Sequence, residues 1–417
     1  MEIDPARLRA DIEANGTFGA LEGVDGHGRT VLCGSPANQA ARERFRERMK
    51  AAGLTVRIDA VGNMAGRWTP SSADPSAAAV AAGSHLDSVL AGGLFDGPLG
   101  AYGALEAVRA LREAGVEPDR PIEVVCFTEE EGGRFASGLL GSSVAAGQRS
   151  VEEALELPDE NSRSLETALD EMGFRGESRL DASAWSAWVE LHIEQGTRLE
   201  DAGVPVGVVT DIAGITHSRV RIRGEANHAG ATPMGHRTDA LPAAAELVLD
   251  IETAARDAVA DTSETAVGTV GRIEVEPNAT NVISGVVDLE MDVRDVNRAG
   301  IEAILEATTG TLERLESQRG VDTSLHRTLD LRSQRMSEVV RGATETAAEN
   351  AGIDSMALHS GAAHDSMHVA SVTEAGMLFA PSRDGISHSP QEWTDWADCA
   401  AATEVLAGTL AELAGAA

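Results

Sequence analysis

The stretch "AVAAGSHLDSVLAGGLFDGPLGAYGALEAVRALREAG", residues 79–115, carries the pattern that decides the fold. A short apolar run ends at His85, a glycine-rich segment follows, and an alanine-rich amphipathic run begins near Ala101. Apolar runs that alternate with helical periodicity are typical of a sheet covered on both faces by helices. The stretch therefore predicts a strand, a loop and a helix, with His85, Asp87 and Asp96 in the loop region.

The same alternation extends to both sides of this stretch. Strands are predicted at 55–63, 121–132, 187–196 and 376–382, and helices at 336–352 and from about Asp395. Because apolar strands separated by helices indicate a mostly parallel sheet, we predict an α/β fold for these parts of the chain.

The pattern changes at about residue 212. "THSRVRIRG" (216–224) alternates, with Val220 and Ile222 on one face and arginines on the other. A helix (239–258), two strands (265–277 and 284–295), a second helix (299–318) and a strand near 321–329 complete a β-α-β-β-α-β order. This order is the split, ferredoxin-like unit. We predict one domain made of residues 1–211 and 329–417, interrupted by an inserted domain at 212–328.

Charge is the most unusual bulk property of the 417-residue chain. It has 67 acidic and 34 basic residues, a formal net charge of −33, and Lys50 as its single lysine. Such a composition resembles that of proteins from salt-loving organisms, because in molar salt the Debye length falls to about 3 Å and self-repulsion becomes tolerable. We therefore expect a salt-requiring protein and no nucleic-acid partner.

The sequence also predicts the compartment. No apolar run approaches the roughly 20 residues of a membrane span, and the charged N-terminus lacks the apolar segment of a signal peptide. Cys33, Cys126 and Cys399 are scattered and odd in number, as expected for reduced thiols. We expect a cytoplasmic protein that does not bind membranes.

Polar residues follow four of the predicted strands, where open α/β sheets bind ligands. The clusters are His85/Asp87/Asp96, Glu129/Glu130/Glu131, His192/Glu194/Gln195 and His388. A mixed histidine and carboxylate set suits Zn²⁺ or another borderline divalent ion, and one carboxylate such as Asp96 can bridge two ions. The Asp87 carboxylate could orient the His85 imidazole. Taken singly, each cluster has a simpler explanation: a loop histidine, a solvated helix start, a buried polar residue and a turn.

Eight motifs carry a family resemblance across almost the whole chain. They are "GSHLDSVLAGGLFDGPLG", "TEEEGGRF", "LHIEQG", "NHAGATPM", "PNATNVISG", "DVRD", "SGAAHDS" and "ISHSP". Together they resemble the hydantoinase/carbamoylase branch of the M20-type zinc amidohydrolases, which includes N-carbamoyl-L-amino acid hydrolases, β-ureidopropionases and allantoate amidohydrolases. The resemblance implies a di-metal aminopeptidase-like catalytic domain with an inserted lid and dimerisation domain. It also implies a homodimer that hydrolyses a ureido C–N bond of a small carbamoyl amino acid substrate, releasing ammonia and carbon dioxide.

The resemblance also implies roles for single residues. One divalent cation would be held by His85, Asp96 and His192, and a second by Asp96, Glu131 and His388; Zn²⁺ is expected, with Mn²⁺, Co²⁺ and Ni²⁺ left open. Glu130 would be the general base, although the run Glu129–Glu131 leaves its register open. The expected substrate contacts are Gln195, Asn281 and Arg294. His228 would reach into the active site of the partner subunit and stabilise the oxyanion there.

Alternatives remain at this point. A di-metal peptidase of the M20 type is disfavoured by His192, because peptidase relatives usually carry an acidic ligand there. A non-catalytic binder and a structural metal protein are also open. Arg294 could instead form an ion pair with Asp292 on the same strand. Ala363 departs from relatives that often have a glycine there, and its methyl group could narrow the pocket.

Overall fold

The computed structural model describes residues 2–135 and 138–416. The chain forms two compact units, Met1–Thr210 with Arg335–Ala417, and Asp211–Gln334. In the part of the chain that precedes the second unit, or reaches its start, the strands are β1 (Thr55–Ile58), β2 (Met64–Trp68), β3 (Val80–His85), β4 (Ile122–Phe127), β5 (Ala187–Ile193) and β6 (Val206–Ile212). The helices are α1 (Pro5–Gly16), α2 (Pro36–Ala51), α3 (Pro98–Glu113), α4 (Leu140–Ala145), α5 (Val151–Leu155), α6 (Leu165–Met172) and α7 (Arg198–Ala202).

The second unit has one antiparallel sheet and two long helices. Its elements are β7 (Gly214–Arg223), α8 (Ala240–Asp261), β8 (Val267–Glu276), β9 (Val286–Asp295), α9 (Arg298–Arg319) and β10 (Asp322–Leu331). The chain then returns to the first unit with β11 (Gln334–Arg335), α10 (Glu338–Ala351), β12 (Ser355–Ser360), α11 (Ser366–Val369), β13 (Ala375–Ala380) and α12 (Trp396–Leu413).

The strands of the first unit form one mixed sheet. Their order is β1-β2-β4-β3-β5-β13-β6-β11, and β12 pairs with β6. Strands β4, β3, β5 and β13 run parallel to one another. The carboxyl ends of these four strands therefore meet at one edge of the sheet, which is where ligands bind in open α/β folds.

The opening stretch folds as predicted and forms the centre of this unit. Every residue of β3 is buried. Helix α3, which begins with Pro98 in its first turn, is buried along almost its whole length and contacts β3, α1 and α12. Leu99, Leu105 and Val108 are fully buried in the main core cluster. A helix covered by sheet and helices needs apolar residues on most of its surface, which explains its alanine-rich sequence.

The second unit has the predicted β-α-β-β-α-β order, and its sheet has the strand order β10-β7-β9-β8. The alternation in β7 separates core from surface: Val220 and Ile222 are buried under α8 and α9. On the other face, Arg219 contacts Glu290 and Arg221 contacts Asp288, each at 2.7 Å. Arginine alternates with apolar residues because its partners lie on the neighbouring strand.

Two details differ from the sequence interpretation. The strand predicted at 55–63 ends at Ile58, because the Asp59 carboxylate accepts the backbone N–H groups of Val61 and Asn63 and turns the chain into β2. The predicted end of the inserted domain, residue 328, lies inside β10, which pairs with β7 as far as Leu331. The second unit therefore continues to Gln334. Among the described residues, no helix has the length and apolarity needed to cross a membrane.

Candidate metal centre

The four predicted polar clusters lie together at the carboxyl edge of the parallel strands. His85 is the last residue of β3, the glutamate run follows β4 after one residue, and His192 is near the end of β5. His388 follows β13 within a loop, and Asp96 lies just before α3. The fold thus brings side chains from distant parts of the sequence to one place.

Asp96 is the centre of this arrangement. Its Oδ1 lies 3.5 Å from His85 Nε2 and 3.3 Å from His192 Nε2. Its Oδ2 lies 3.5 Å from His388 Nε2, which is also 3.4 Å from Glu131 Oε2. Each oxygen of Asp96 therefore faces a different set of donors, His85/Asp96/His192 and Asp96/Glu131/His388, and within each set the donor atoms lie within 4.8 Å of one another.

These spacings fit divalent cations. Two ligand atoms about 2.0–2.1 Å from one tetrahedral cation lie about 3.3–3.4 Å apart, close to the separations around Asp96. His85 Nδ1 contacts the backbone carbonyl of Asp87 at 3.2 Å and His192 Nδ1 contacts that of Ile193 at 3.0 Å. This pattern assigns the proton to Nδ1 and leaves the Nε2 lone pair for a cation. The buried His85 Nε2 accordingly has no hydrogen-bond partner.

The electrostatics also favour a cation. Burial raises the pKa values of Glu130 and Glu131 well above the ordinary range, and each has a further acidic neighbour that adds to this rise. Burial would raise the pKa of Asp96 as well, but without a cation the protonated forms of His192 and His85 hold it well below its usual value, and a bound cation would take the place of their protons. Several carboxylates thus crowd one buried place, and bound cations would compensate their mutual repulsion.

The three glutamates after β4 have three different environments. Glu129 Oε1 accepts the backbone N–H groups of Arg134 and Phe135, at 2.8 and 2.7 Å, so this side chain closes its own loop. Glu130 Oε2 lies 3.5 Å from His85 Nε2, and Glu131 faces His388. His85, Glu130 and Glu131 form a third donor group, but Glu130 is in neither set that contains Asp96. This geometry favours Glu130 and Glu131 over Glu129 for the chemical roles.

Asp87 contributes differently from the sequence interpretation. Its carboxylate Oδ1 lies 3.8 Å from His85 Nδ1, which is too long for a hydrogen bond, and its backbone carbonyl makes the contact instead. The other carboxylate oxygen accepts the backbone N–H of Glu131 at 3.1 Å. Asp87 therefore orients His85 through its main chain and Glu131 through its side chain.

Backbone strain is concentrated at this centre. Glu129, Gln195 and His388 adopt positive φ angles of 53°, 57° and 53°. Non-glycine residues in this region cost free energy and cluster at functional sites. Gly97 also has a positive φ, 81°, and a Cβ there would lie 2.5 Å from the His85 ring. Only glycine permits this approach of the loop to the imidazole.

Sequence reasoning missed several residues beside the centre. Ser387 Oγ lies 2.8 Å from Asp96 Oδ2, and Gln195 Nε2, a predicted substrate contact, lies 2.7 Å from the same oxygen. The His364 ring packs edge-on against His192, with 4.5 Å between centroids. Ser387 and His364 belong to motifs already quoted, "ISHSP" and "SGAAHDS", but no spacing in the sequence indicates these contacts.

The remaining predicted residues lie in the second unit. Arg294 forms the ion pair with Asp292 that the sequence left open, with 2.8 Å between Nη2 and Oδ2. His228 is exposed, and its Nδ1 accepts the backbone N–H groups of Gly230 and Ala231, which assigns the proton to Nε2. His228 and Asn281 lie close together, because Ala229 N–H donates to the Asn281 carbonyl. A protonated Nε2 is the form that can donate to an oxyanion.

Comparisons with known proteins find relatives that match most or almost all of the chain. The model of the peptidase family M20/M25/M40 matches residues 56–412. N-carbamoyl-L-amino acid amidohydrolase of Geobacillus stearothermophilus is 42% identical over 392 residues, 93% of this chain and 94% of the relative. Allantoate amidohydrolase of Bacillus subtilis is 36% identical over 352 residues, 83% of each chain. The crystal structure of a hydantoinase/carbamoylase family amidase from Burkholderia multivorans has a TM-score of 0.91 at 32% identity, covering 99% of this chain and 98% of that one.

Proposed function

The chain belongs to the M20/M25/M40 peptidase family and to its hydantoinase/carbamoylase branch, and from this premise we propose that it hydrolyses N-carbamoyl-L-amino acids. The products are ammonia, carbon dioxide and the free amino acid. The relative named for this activity is 42% identical to the chain, against 36% for the allantoate amidohydrolase. The observation that carries the proposal is Asp96, whose two oxygens face two separate donor sets.

Two divalent cations are part of the proposal. His85, Asp96 and His192 would hold one, and Asp96, Glu131 and His388 the other. Zn²⁺ suits this mixed set, and Mn²⁺, Co²⁺ or Ni²⁺ would also fit, because the ligands discriminate weakly between these ions. When bound, the cations supply the Lewis acidity that activates water and polarises a carbonyl group.

The protein's own groups carry the remaining steps. The Glu130 carboxylate takes a proton from the attacking water and delivers it to the departing amine nitrogen. Burial raises the pKa of Glu130, which favours its protonated form and so helps it to hold the proton until the amine nitrogen departs. His228 donates from Nε2 to the tetrahedral oxyanion, a contribution typically worth about 3–4 kcal/mol.

Substrate recognition is assigned to Arg294, Asn281 and Gln195. The planar guanidinium of Arg294 provides two parallel donors that match a carboxylate. The Asp292 carboxylate accepts hydrogen bonds from this guanidinium and holds it on β9. A substrate carboxylate would replace Asp292 as its partner. Asn281 and Gln195 would bind the remaining polar atoms of the substrate.

The assembly and the compartment are further parts of the proposal. We propose a homodimer in which the second unit serves as lid and dimer contact, with His228 acting in the partner subunit's site. Cys33, Cys126 and Cys399 are free and buried, which fits a reducing, cytoplasmic compartment. Light scattering coupled to gel filtration tests the dimer, and a single-chain mass would contradict it.

An ammonia-release assay in molar KCl tests the function. We expect the highest kcat/KM with N-carbamoyl-L-amino acids, lower values with β-ureidopropionate and allantoate, and little turnover of the D-enantiomers. A dipeptide is the matched test of the peptidase alternative. Faster hydrolysis of the dipeptide than of every ureido compound would overturn the proposal.

A further inference from the structure

A buried carboxylate outside both donor sets, Glu392, joins the two loops that carry Asp96 and His388. Its Oε1 accepts the backbone N–H groups of Phe95 and Asp96, at 2.7 and 3.0 Å. Its Oε2 lies 3.1 Å from Ser387 Oγ, and Ser387 directly precedes His388. Because the Glu392 side chain is only 1% exposed, these contacts do not compete with solvent.

The surroundings of Glu392 are built to hold it. A Cβ at Gly93 would lie 2.2 Å from its carboxylate, so the side chain packs directly on the Gly93 backbone. The Gly93 carbonyl accepts Nε–H of Arg29 at 2.8 Å, and Arg29 is fully buried. Burial lowers the pKa of Arg29, and Glu392 is the carboxylate that most strongly opposes this lowering. The buried, positively charged guanidinium of Arg29 is thus held near the Glu392 carboxylate through the Gly93 backbone.

The two donor sets differ in how firmly they are held. His85 and His192 lie on strands, their side chains are 1% and 2% exposed, and each has Nδ1 bound to a backbone carbonyl. His388 lies in a loop, its side chain is 52% exposed, and its φ is positive. The two histidines of the first set are therefore fixed by the sheet, whereas the second set depends on contacts between loops.

We propose that Glu392 is a positioning residue for the Asp96/Glu131/His388 set, and that tight binding of a second cation requires it. The inference rests on the metal centre of the proposed function. Glu392 fixes the main chain at Asp96 through Oε1 and the loop before His388 through Ser387. Without this link, the position of His388 Nε2 relative to Asp96 Oδ2 is no longer fixed. His85 and His192 stay in place because they lie on strands.

Three variants separate this role from a general effect on folding. Glu392→Ala removes the acceptor for two buried N–H groups and the contact with Ser387. Glu392→Gln keeps an amide oxygen for the N–H groups and an NH2 that can donate to Ser387 Oγ, so it should partly rescue binding. Glu123→Ala is the matched control: Glu123 is equally buried in the same unit, but it lies near the opposite end of β4 and contacts Arg57 and Arg67.

The experiment is a calorimetric titration of the chelator-stripped full-length proteins with Zn²⁺ alone. We expect two binding events for the wild type and, in Glu392→Ala, an affinity for the weaker event reduced by about 10–100-fold, the usual effect of removing a group that orients metal ligands. The stronger event should change little, Glu392→Gln should be intermediate, and Glu123→Ala should bind like the wild type. Co²⁺ absorption spectra give a second readout of the weaker site.

Several results would overturn the inference. Unchanged affinity for both cations in Glu392→Ala would do so, as would an equal loss at both sites or a matching loss in Glu123→Ala. If Glu392→Ala does not fold, Glu392→Gln and Ser387→Ala carry the test, and wild-type binding of the second cation in both would refute it. Because no substrate is used, a wild type that binds two cations without hydrolysing carbamoyl compounds would contradict the proposed function and leave this inference standing.

Discussion

Replacement of Glu130 by glutamine tests whether this side chain moves protons or binds a cation. Glu130 Oε2 lies 3.5 Å from His85 Nε2 and forms a third donor group with His85 and Glu131, so its position is compatible with either role. Yet neither set that shares Asp96 includes Glu130. We therefore expect Glu130→Gln to bind both cations as the wild type does and to lose turnover.

The expected magnitude follows from this assignment. A general acid–base group contributes about 10²–10⁴ in rate, or about 2.7–5.5 kcal/mol of transition-state stabilisation. Glutamine has nearly the same shape, so substrate binding should persist and the loss should appear in kcat rather than in KM. The Glu130 side chain is largely buried, so bulk water offers little replacement for the lost base.

The assay combines steady-state ammonia release with metal analysis of the same preparations. Glu129→Gln is the matched control, because Glu129 accepts two backbone N–H groups that an amide oxygen can also accept. Near-normal turnover in Glu130→Gln would refute the assignment of the base. Loss of one bound cation from Glu130→Gln would also refute the assignment, because Glu130 would then be a metal ligand. Loss of turnover only in Glu129→Gln would move the base by one residue.

Three further predictions concern other parts of the molecule. Arg294→Lys keeps the positive charge but loses the paired N–H donors of the guanidinium. KM for the carbamoyl substrate should therefore rise by about 10–100-fold, which corresponds to the free energy of one hydrogen bond to a charged group. An unchanged KM would show that Arg294 does not bind the substrate. The melting temperature should rise as KCl increases from about 0.1 M to molar concentrations, because the Debye length shrinks from about 10 to 3 Å around a net charge of −33; a flat or falling curve would contradict the salt requirement. Burial lowers the pKa of His368 from 6.5 to about 4, so the unfolded chain takes up its proton first as the pH falls. Stability should therefore be lost between these two pH values, by at most about 3 kcal/mol, and urea unfolding of His368→Gln should show a smaller loss over that window.

Much of the fold could be predicted because its signals are local. The run from Val80 to His85 and the helix after it have periodicities that specify a buried strand and a covered helix. In β7, the alternation of Val220 and Ile222 with arginines shows directly which face of the strand is buried. Strand β2 was missed because a turn organised by the Asp59 carboxylate, and not an apolar pattern, ends β1 and starts a hairpin.

The candidate site could be predicted only in part. His85 and His192 stand out because they interrupt apolar runs at strand ends, and Asp96 stands out in the glycine-rich segment that follows the first of these strands. Their convergence depends on the strand order β4-β3-β5-β13, which one-dimensional periodicity does not contain. The separate environments of Glu129 and Glu130 also depend on the path of the loop after β4, where Arg134 and Phe135 turn back to bind Glu129.

In the proposed centre, the position of Asp96 explains why supporting residues of two kinds are needed. A bridging carboxylate must keep both oxygens in place, and a rotation that improves one coordination geometry worsens the other. The sheet can fix only the side that faces His85 and His192, because those residues lie on strands. The other side faces His388, which lies in a loop and not on a strand, so loop contacts must hold it. A buried acid such as Glu392, which binds main-chain N–H groups on one loop and a hydroxyl on the other, supplies that rigidity without itself being a ligand.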